Sequence, residues 1–421
     1  MAQEMQLELS TILLKGIRSD AGAEKHASLP QMLSAIRQHL KMDVAFISEF
    51  ENGRRTFRQV DPLDPANPVQ PGASDPLEDS YCQRIVDGRL PELMRDAREN
   101  PVAAALPVTH ALPVGGHISV PIRTADGGVY GTFCCFSKSP HQMLDERDLN
   151  MMRVFADIAA QMIDSEHATA GRLRELEARI DAAILNDSLS MVYQPIYDLE
   201  QQVATGFEAL SRFSGAVVRS PDIWFREANE VGRGAELEVK AIHLAIQSLR
   251  HFPKGVYVSI NMSPEHVIAG ALNNVLEDMP LDRLMLEITE HAVVEHYDDL
   301  AEAIRPFRNR GMQIAVDDAG AGYASFRHIL NLAPDRIKLD ISLTRNVDTD
   351  ISRRALAAAF ARFSKDTGTG IVAEGVETAA EMKALRELGV SKIQGFYVAR
   401  PMRLDTAVKM CGSRELSLNR D

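Results

Sequence analysis

The chain has 421 residues, of which 45% are hydrophobic and 25% are charged. This size and composition predict a globular protein of two or three domains. The net charge of −13 argues against a general DNA or RNA surface, because nucleic-acid phosphates attract positive charge. No stretch is apolar enough for membrane insertion. The N-terminus lacks a signal-peptide core and the four cysteines lack Cys-x-x-Cys spacing, so we expect a cytoplasmic protein.

The first half of the chain mixes helical and strand patterns. An amphipathic helix is predicted over residues 1–24. Asn52-Gly53 and Asp126-Gly127-Gly128 each lie between two strand patterns, which is typical of hairpin turns. Residues 25–164 therefore resemble an α+β sensor-type domain. Its predicted elements are helices over 29–40 and 145–163 and strands over 44–50, 56–60, 117–122 and 129–136.

Two segments of this half, 44–50 and 119–136, resemble the GAF family of small-molecule-sensing domains. The resemblance implies a pocket for an unidentified small molecule between the sheet and the helices. Cys82 could carry a thioether-linked bilin, as in some GAF domains, but a buried structural cysteine is the favoured interpretation. His110 and His117 are interpreted as hydrogen-bonded loop histidines in preference to metal or haem ligands.

Residues 165–187 form a charged, proline-free helical pattern that we interpret as a linker helix. Its apolar positions recur at three- and four-residue steps, which is the spacing of a short coiled-coil seam. Two interpretations stay open, a helix packed against its own domains and a parallel dimer helix. The seam residues are Leu173, Leu176, Ile180 and Ala183.

The second half, residues 188–411, repeats strand-then-helix units. Each strand pattern carries a polar side chain at or near its C-terminal end. If the units close into a (β/α) barrel, the C-terminal ends meet on one face, where such barrels place their active sites. The converging residues are Gln194, Glu208, Asn261, Glu287, Asp317, Asp318, Lys338, Glu374 and Gln394.

Asp317 and Asp318 end a short apolar strand and precede a glycine-rich turn. Two adjacent carboxylates that surface together repel each other unless cations are present. Oxygen ligands without a cysteine or histidine cluster favour Mg²⁺ or Mn²⁺. A carboxylate shared by two ions is typical of phosphoester cleavage, and a nearby lysine could hold the attacking water and balance charge.

Glu208-Ala209-Leu210 is the signature of the EAL family, and the other strand ends match that family's pattern in order over about residues 185–410. EAL proteins are phosphodiesterases of the bacterial second messenger cyclic di-GMP. The resemblance implies a modified (β/α)8 barrel of the TIM type with one antiparallel strand. It also implies hydrolysis of cyclic di-GMP to linear pGpG, regulated by the sensor domain.

The same resemblance assigns roles to individual residues. The ligands of one metal ion would be Glu208, Asn261, Glu287 and Asp317, and those of the second Asp317, Asp318 and Glu374. Catalytic roles fall to Lys338, which orients the water, to Glu374 or a metal ion as base, to Gln394, which supports the water, and to Glu290, which steadies the Asp-Asp loop. Substrate binding is assigned to Gln194, Arg212, Glu377 and Asp340.

Two positions depart from the family pattern, Ala319 for a phenylalanine and Ala324 for a serine. Both changes should loosen the Asp-Asp loop and give a low basal activity that the sensor ligand raises. EAL domains resemble one another in pairing beside this loop, so a homodimer is expected. The alternatives are a module that binds cyclic di-GMP without cleaving it, and another metal-dependent barrel hydrolase or lyase.

Overall fold

A computed structural model describes residues 28–411 apart from 66, 187, 216–218, 278, 280, 289–293, 295 and 321–323. The helix predicted over 1–24 lies outside these residues. The chain forms two compact units, Met1–Arg172 and Leu173–Asp421. Across the described part of the chain, every helix is too short or too polar to span a bilayer.

The first unit contains a six-stranded antiparallel sheet with the strand order β3-β2-β1-β6-β5-β4. Its strands are β1 Val44–Glu51, β2 Arg54–Asp61, β3 Ser74–Pro76, β4 Leu93–Met94, β5 His117–Arg123 and β6 Val129–Phe136. Its helices are α1 Leu29–His39, α2 Tyr81–Val86, α3 Pro101–Ala104, α4 Pro107–Ala111 and α5 Glu146–Leu185, with 3-10 turns at Leu77–Asp79 and Ala97–Glu99.

Both faces of this sheet carry buried residues, and successive side chains of a strand alternate between the two faces. Cys135 packs on the face covered by α1 and α5. Cys134, its neighbour on β6, packs on the opposite face beneath short helices and loops. The predicted hairpin at Asn52-Gly53 is present, and both residues have positive φ, +51° and +74°, as a two-residue turn of this kind requires.

The predicted loop position is wrong for both histidines, whereas the expected hydrogen bond is present for His110. His110 lies in α4 and its Nε2 is 2.9 Å from the carbonyl oxygen of Ala104. His117 is the first residue of β5 and is buried. Its ring packs edge-on against the ring of Tyr81, with 4.9 Å between the ring centroids. Burial and the nearby charge of Arg55 lower the pKa of His117 to about 3, so this imidazole is neutral.

Helix α5 continues through the segment predicted as a linker, since nothing in Glu146–Leu185 breaks it. Within the second unit, Ile180 and Ala183 are buried beside Trp224 and Leu237. These two residues of the proposed seam therefore pack against their own chain, as the first of the two interpretations expects.

The second unit is a closed barrel with the strand order β10-β11-β12-β13-β14-β7-β8-β9. Strand β7 is antiparallel to both of its neighbours and the other adjacent pairs are parallel, which confirms the predicted modified barrel. The strands are β7 Leu189–Asp198, β8 Val203–Phe213, β9 Tyr257–Asn261, β10 Leu284–Ile288, β11 Gln313–Ala319, β12 Arg336–Leu339, β13 Gly370–Ala373 and β14 Lys392–Ile393. The helices are α6 Pro221–Glu230, α7 Gly234–Ser248, α8 Pro264–Ile268, α9 Asn273–Leu276, α10 Tyr297–Asn309, α11 Ala324–Leu332, α12 Ile341–Thr344, α13 Ile351–Thr367, α14 Ala379–Glu387 and α15 Leu404–Met410.

The side chains of Tyr257 and Arg336 meet at the starts of β9 and β12, and glycines on the neighbouring strands leave room for them. The guanidinium of Arg336 lies 5.7 Å from the ring centroid of Tyr257. A Cβ on Gly206 would come within 2.3 Å of the Tyr257 ring, and one on Gly370 within 2.4 Å of Arg336 Nη1. Lys338 is two residues beyond Arg336 and therefore on the same face of β12, so this packed pair supports the candidate site from below.

We predict that Gly206→Ala destabilises the second unit by roughly 1–3 kcal/mol, because the added methyl group displaces a packed ring. Gly171→Ala is the matched control. Nothing lies within 4 Å of the Cβ position of Gly171 and this residue is inside α5, so the control should gain about 0.5–1 kcal/mol. Chemical denaturation measures both, and an unchanged midpoint for Gly206→Ala would contradict the packing argument.

Candidate active site

The parallel strands bring most of the predicted site residues to one end of the barrel. Asn261 ends β9, Glu287 is near the end of β10, and Asp317 lies on β11. Lys338 is on β12, while Glu374 and Gln394 directly follow β13 and β14. The expectation that every strand contributes its C-terminal end is wrong for β7, which runs in the opposite direction, and for β8, in which Glu208 lies at the middle of Val203–Phe213. Gln194 instead lies mid-strand, opposite Glu208 of β8.

Lys338 is the centre of the cluster and is 1% exposed. Its Nζ lies 2.7 Å from Glu287 Oε2 and 2.7 Å from Glu374 Oε1. The distances to Asp317 Oδ1 and Glu208 Oε2 are 2.9 Å and 3.4 Å. One ammonium group therefore faces four carboxylates, carried by β8, β10, β11 and the turn after β13.

The charges of this cluster are set by burial and by Lys338. Burial opposes the charge on Lys338, but the four carboxylates raise its pKa well above the usual range. Burial raises the pKa of Glu287 and of Glu374 well above normal, more than the nearby ammonium lowers it. Burial also acts on Glu208, but Lys338 and two amide donors lower its pKa. The cluster thus has more acidic groups than one lysine can neutralise.

Side-chain amides hold Glu208 in place. Asn261 Nδ2 donates to Glu208 Oε1 at 3.1 Å, and Gln394 Nε2 donates to Glu208 Oε2 at 2.6 Å. The same Gln394 nitrogen is 3.3 Å from Gln194 Oε1. These contacts fix the carboxylate by both oxygens and join the antiparallel strand β7 to the cluster.

The turn after β11 has an unusual backbone. Asp318 has a φ of +52°, a left-handed conformation that is costly for a residue with a side chain and is common at functional sites. Its N–H donates to Asp317 Oδ1 at 3.0 Å. Gly320 has a φ of +108°, and a Cβ there would contact Leu343 at 2.3 Å. Glu290 lies outside the described residues, as does the side chain of Ala324.

Two groups of carboxylates in this cluster have the spacing of cation ligands. Glu208, Glu287 and Asp317 form one group, and Asp317, Asp318 and Glu374 form the other. Glu287 Oε1 is buried and no group in the described part of the chain donates a hydrogen bond to it. An oxygen-only donor set with an unsatisfied buried oxygen fits hard divalent cations, and Asp317 could be shared by two of them.

The remaining predicted residues lie at the edge of the cluster. Glu377 forms a bidentate ion pair with Arg345, at 2.5 Å and 2.6 Å. The Asp340 carboxylate accepts from the Ser342 N–H at 2.8 Å and caps α12. Arg212 Nη1 donates to the carbonyl oxygen of Ser211 at 2.7 Å, and Arg212 lines a neighbouring cavity of about 320 Å³ that also reaches Asn261.

A cavity of about 370 Å³ opens above the carboxylates. It includes an aromatic residue that sequence reasoning did not select, Phe396, which is 40% exposed. The Arg400 guanidinium lies 4.1 Å from the centroid of this ring. An aromatic residue two positions after Gln394 was the available signal in the sequence, since a ring beside polar groups suits a planar ligand. The cavity is lined by Gln194, Glu208, Asp317, Asp318, Lys338, Ile341, Glu374, Gly375, Glu377, Gln394, Gly395 and Phe396.

Comparison with known protein families agrees with this geometry. Residues 177–401, more than half of the chain, match the family model of the EAL domain. The chain belongs to the EAL domain family. Residues 25–164 match the model of the GAF domain, so both family resemblances found in the sequence are confirmed.

Curated relatives and solved structures show similarity over the EAL domain. The probable cyclic di-GMP phosphodiesterase PdeD of Escherichia coli K12 is 29% identical over 246 residues, 56% of this chain and 46% of PdeD. The oxygen sensor protein DosP of the same organism is 28% identical over 239 residues, 54% of this chain and 30% of DosP. This chain therefore spans less than half the length of these relatives. An EAL domain protein from Listeria monocytogenes EGD-e has the same fold, with a TM-score of 0.51 and 24% identity over 55% of this chain and 96% of that one.

We predict that Lys338→Met lowers the free energy of unfolding of metal-free protein by about 3–5 kcal/mol, because it leaves several buried carboxylates without their cation. The deficit should shrink as the pH falls from about 8 to about 5, since protonation of carboxylates whose pKa is raised in the folded state relieves their repulsion. Denaturation in the presence of a chelator measures this. The exposed Lys365→Met is the control, and a deficit that does not change with pH would contradict the charge argument.

Proposed function

We propose that the EAL domain of this chain hydrolyses one phosphodiester bond of cyclic di-GMP and releases linear pGpG. One observation carries the proposal. At the mouth of an EAL barrel, the buried Lys338 contacts carboxylates from two sets of possible metal ligands, and Asp317 belongs to both sets. The printed name of the relative PdeD, a probable cyclic di-GMP phosphodiesterase, supports the same activity.

Two Mg²⁺ or Mn²⁺ ions are proposed as cofactors. Glu208, Asn261, Glu287 and Asp317 would hold one ion, and Asp317, Asp318 and Glu374 the other. Such ions lower the pKa of water and neutralise the charge of a phosphodiester in the transition state. The net charge of −13 is compatible with an anionic substrate only if cations of this kind are supplied at the site.

The side chains of the cluster would position the reactants. Lys338 Nζ holds the attacking water and balances the negative charge that develops on the phosphate. Glu374, whose Oε1 lies 2.7 Å from Lys338 Nζ, accepts the proton of that water as a general base. Gln394 is fixed by Glu208 and supports the water from a second side.

Other residues would bind the substrate. Gln194 and Glu377 line the cavity above the carboxylates, and Arg212 lines the adjacent cavity. A guanidinium is suited to a phosphate oxygen or to a guanine edge. We assign Asp340 a supporting role at this edge of the site, since its carboxylate holds the first turn of α12. Regulation by the GAF domain and a cytoplasmic location are also part of the proposal.

Chromatographic measurement of pGpG formation by the full chain tests this function. We predict turnover with Mg²⁺ or Mn²⁺, none after chelation, and inhibition by Ca²⁺, whose longer and looser coordination misplaces the reactants. Glu287→Gln should reduce turnover by a hundredfold or more, about 3 kcal/mol in the transition state. The control is Glu302→Gln, an exposed glutamate of α10.

Two results of this experiment would contradict the proposal. Full turnover after exhaustive chelation would exclude the metal-dependent reaction. Binding of cyclic di-GMP without release of pGpG under any metal would identify the chain as a receptor module that holds the nucleotide.

We further propose a homodimer formed through an apolar surface beside the Asp-Asp turn. On α11, Phe326 is 53% exposed and Leu330 is 74% exposed. The Phe326 ring stacks on Phe360 of α13 at 5.5 Å. Contiguous exposed apolar surface of this kind is typical of protein contacts. Because α11 follows the turn that carries Asp318, a second copy bound here could affect the position of a metal ligand.

The dimer proposal predicts that Phe326→Glu shifts the mass in solution from dimer to monomer, because a charge in the centre of an apolar interface costs several kcal/mol. Light scattering after size-exclusion chromatography measures the mass. Met143→Glu, at a more exposed apolar residue of the GAF domain (82%), should remain a dimer. A wild-type monomer at every concentration tested would refute the proposal.

A further inference from the structure

A pair of cysteines lies in the core of the GAF domain, away from the EAL cluster. Cys82 of α2 and Cys134 of β6 are 52 residues apart in the chain, and their sulfurs are 3.6 Å from each other. Both side chains are fully buried, at 0% exposure. A disulfide sulfur pair is about 2.05 Å apart, so these are two free thiol groups placed within a short movement of a bond.

A buried guanidinium distinguishes the two sulfurs. Arg55 Nη1 lies 3.1 Å from Cys82 Sγ, and the same guanidinium is paired with Asp75 through Nε at 3.0 Å. Burial alone would raise the pKa of Cys82, but the hydrogen bond from Cys134 and the charge of Arg55 lower it to about 5. Burial and the neighbouring Cys82 raise the pKa of Cys134 well above normal. At neutral pH the pair is therefore one thiolate and one thiol.

Buried hydroxyl groups complete the surroundings of Cys134. Its sulfur is 2.8 Å from Ser119 Oγ and 3.1 Å from Thr132 Oγ1. Thr132 Oγ1 in turn is 2.9 Å from Ser48 Oγ. An apolar core does not require a guanidinium, a thiolate and three hydroxyls at one place, since each polar group loses its hydration there. In charge and spacing, although not in exposure, the arrangement is that of a reactive sulfur with a second sulfur beside it.

We propose that Cys82 and Cys134 form an oxidation site in the GAF domain, which a peroxide converts to a disulfide. The Cys82 thiolate attacks the terminal oxygen of a peroxide ROOH, the O–O bond breaks, and ROH leaves after taking a proton from the Cys134 thiol. The Cys134 thiolate then attacks the sulfur of the Cys82 sulfenic acid, the S–O bond breaks, and hydroxide leaves. The sum is one thiolate, one thiol and ROOH giving one disulfide, ROH and hydroxide.

Oxidation changes the charge of the buried cluster. The disulfide carries no negative charge, so Arg55 loses one of its two partners and retains Asp75 of β3. A buried guanidinium that loses one of two anionic partners is less stable, and β2 and β3, which carry Arg55 and Asp75, would respond to it. Peroxide would thereby act as a chemical input to the GAF domain. The proposal does not depend on the activity of the EAL domain.

The test exposes the folded full chain to hydrogen peroxide, blocks the remaining thiols with an alkylating reagent, and maps disulfides by mass spectrometry without reduction. Wild type should form the Cys82–Cys134 disulfide, and dithiothreitol should reverse it. Cys135→Ala is the matched control, because Cys135 is equally buried on the same strand but packs on the opposite face of the sheet. It should form the disulfide at the wild-type rate.

Two further variants identify the reacting sulfur. In Cys134→Ala, Cys82 should accumulate as a sulfenic acid that dimedone traps. Arg55→Gln should slow the reaction by about 10- to 100-fold at neutral pH, since an ordinary thiol is only a few per cent ionised there. If either variant does not fold, the wild-type pH profile replaces it, and its rate should be nearly constant from about pH 6 to 8.

Several outcomes would overturn the proposal. One is a Cys82 that remains alkylatable after peroxide treatment while Cys135 or Cys411 is oxidised. Another is a rate that rises tenfold per pH unit across the neutral range, which would show that Cys82 is an ordinary thiol. A disulfide that forms only after denaturation would show that the two sulfurs cannot approach in the folded domain.

Discussion

The ion cluster of Lys338 is the constraint on which the barrel mouth depends. Four carboxylate side chains, carried by β8, β10, β11 and the turn after β13, lie within a few ångströms of one buried ammonium group. Such a cluster is stable only if strand register, amide contacts and the layer below it hold every member in place. Asn261 and Gln394 supply the amide contacts, and Tyr257 and Arg336 fill the layer below. The strained Asp318 backbone is tolerated within that frame.

The same cluster explains why the site suits divalent cations. Lys338 neutralises only part of the negative charge, and Glu287 retains a buried oxygen without a donor among the described residues. Cations would complete the charge balance and satisfy that oxygen. Because the carboxylates would then be bound to the cations, the lysine would be free to contact a phosphate or a water.

Much of the barrel and of its candidate site could be predicted from the sequence, because parallel strands bring their C-terminal ends to the same face of a barrel. A polar residue at the end of a short apolar strand must lie at the barrel mouth, whichever helices intervene, and Glu287, Asp317 and Lys338 were placed in this way. The reversed direction of β7 could not be predicted from its residues, because the hydrophobic pattern of a strand is the same in both directions. Only the family resemblance implied one antiparallel strand. His117 was misassigned because its burial depends on Tyr81, which is distant in the sequence. The Cys82–Cys134 contact joins residues of two elements and has no local signal.

The packed layer formed by Tyr257 and Arg336 limits how a ligand can reach the carboxylates. The interior is filled at that level, and Gly206 and Gly370 leave no spare volume around the two side chains. Among the described residues, this layer closes the barrel below the carboxylates, so a bound molecule is reached from the side of the cavities above them. If the domain turns over a substrate there, the product leaves on the side from which the next substrate enters, and product departure then becomes one of the steps that set the overall rate.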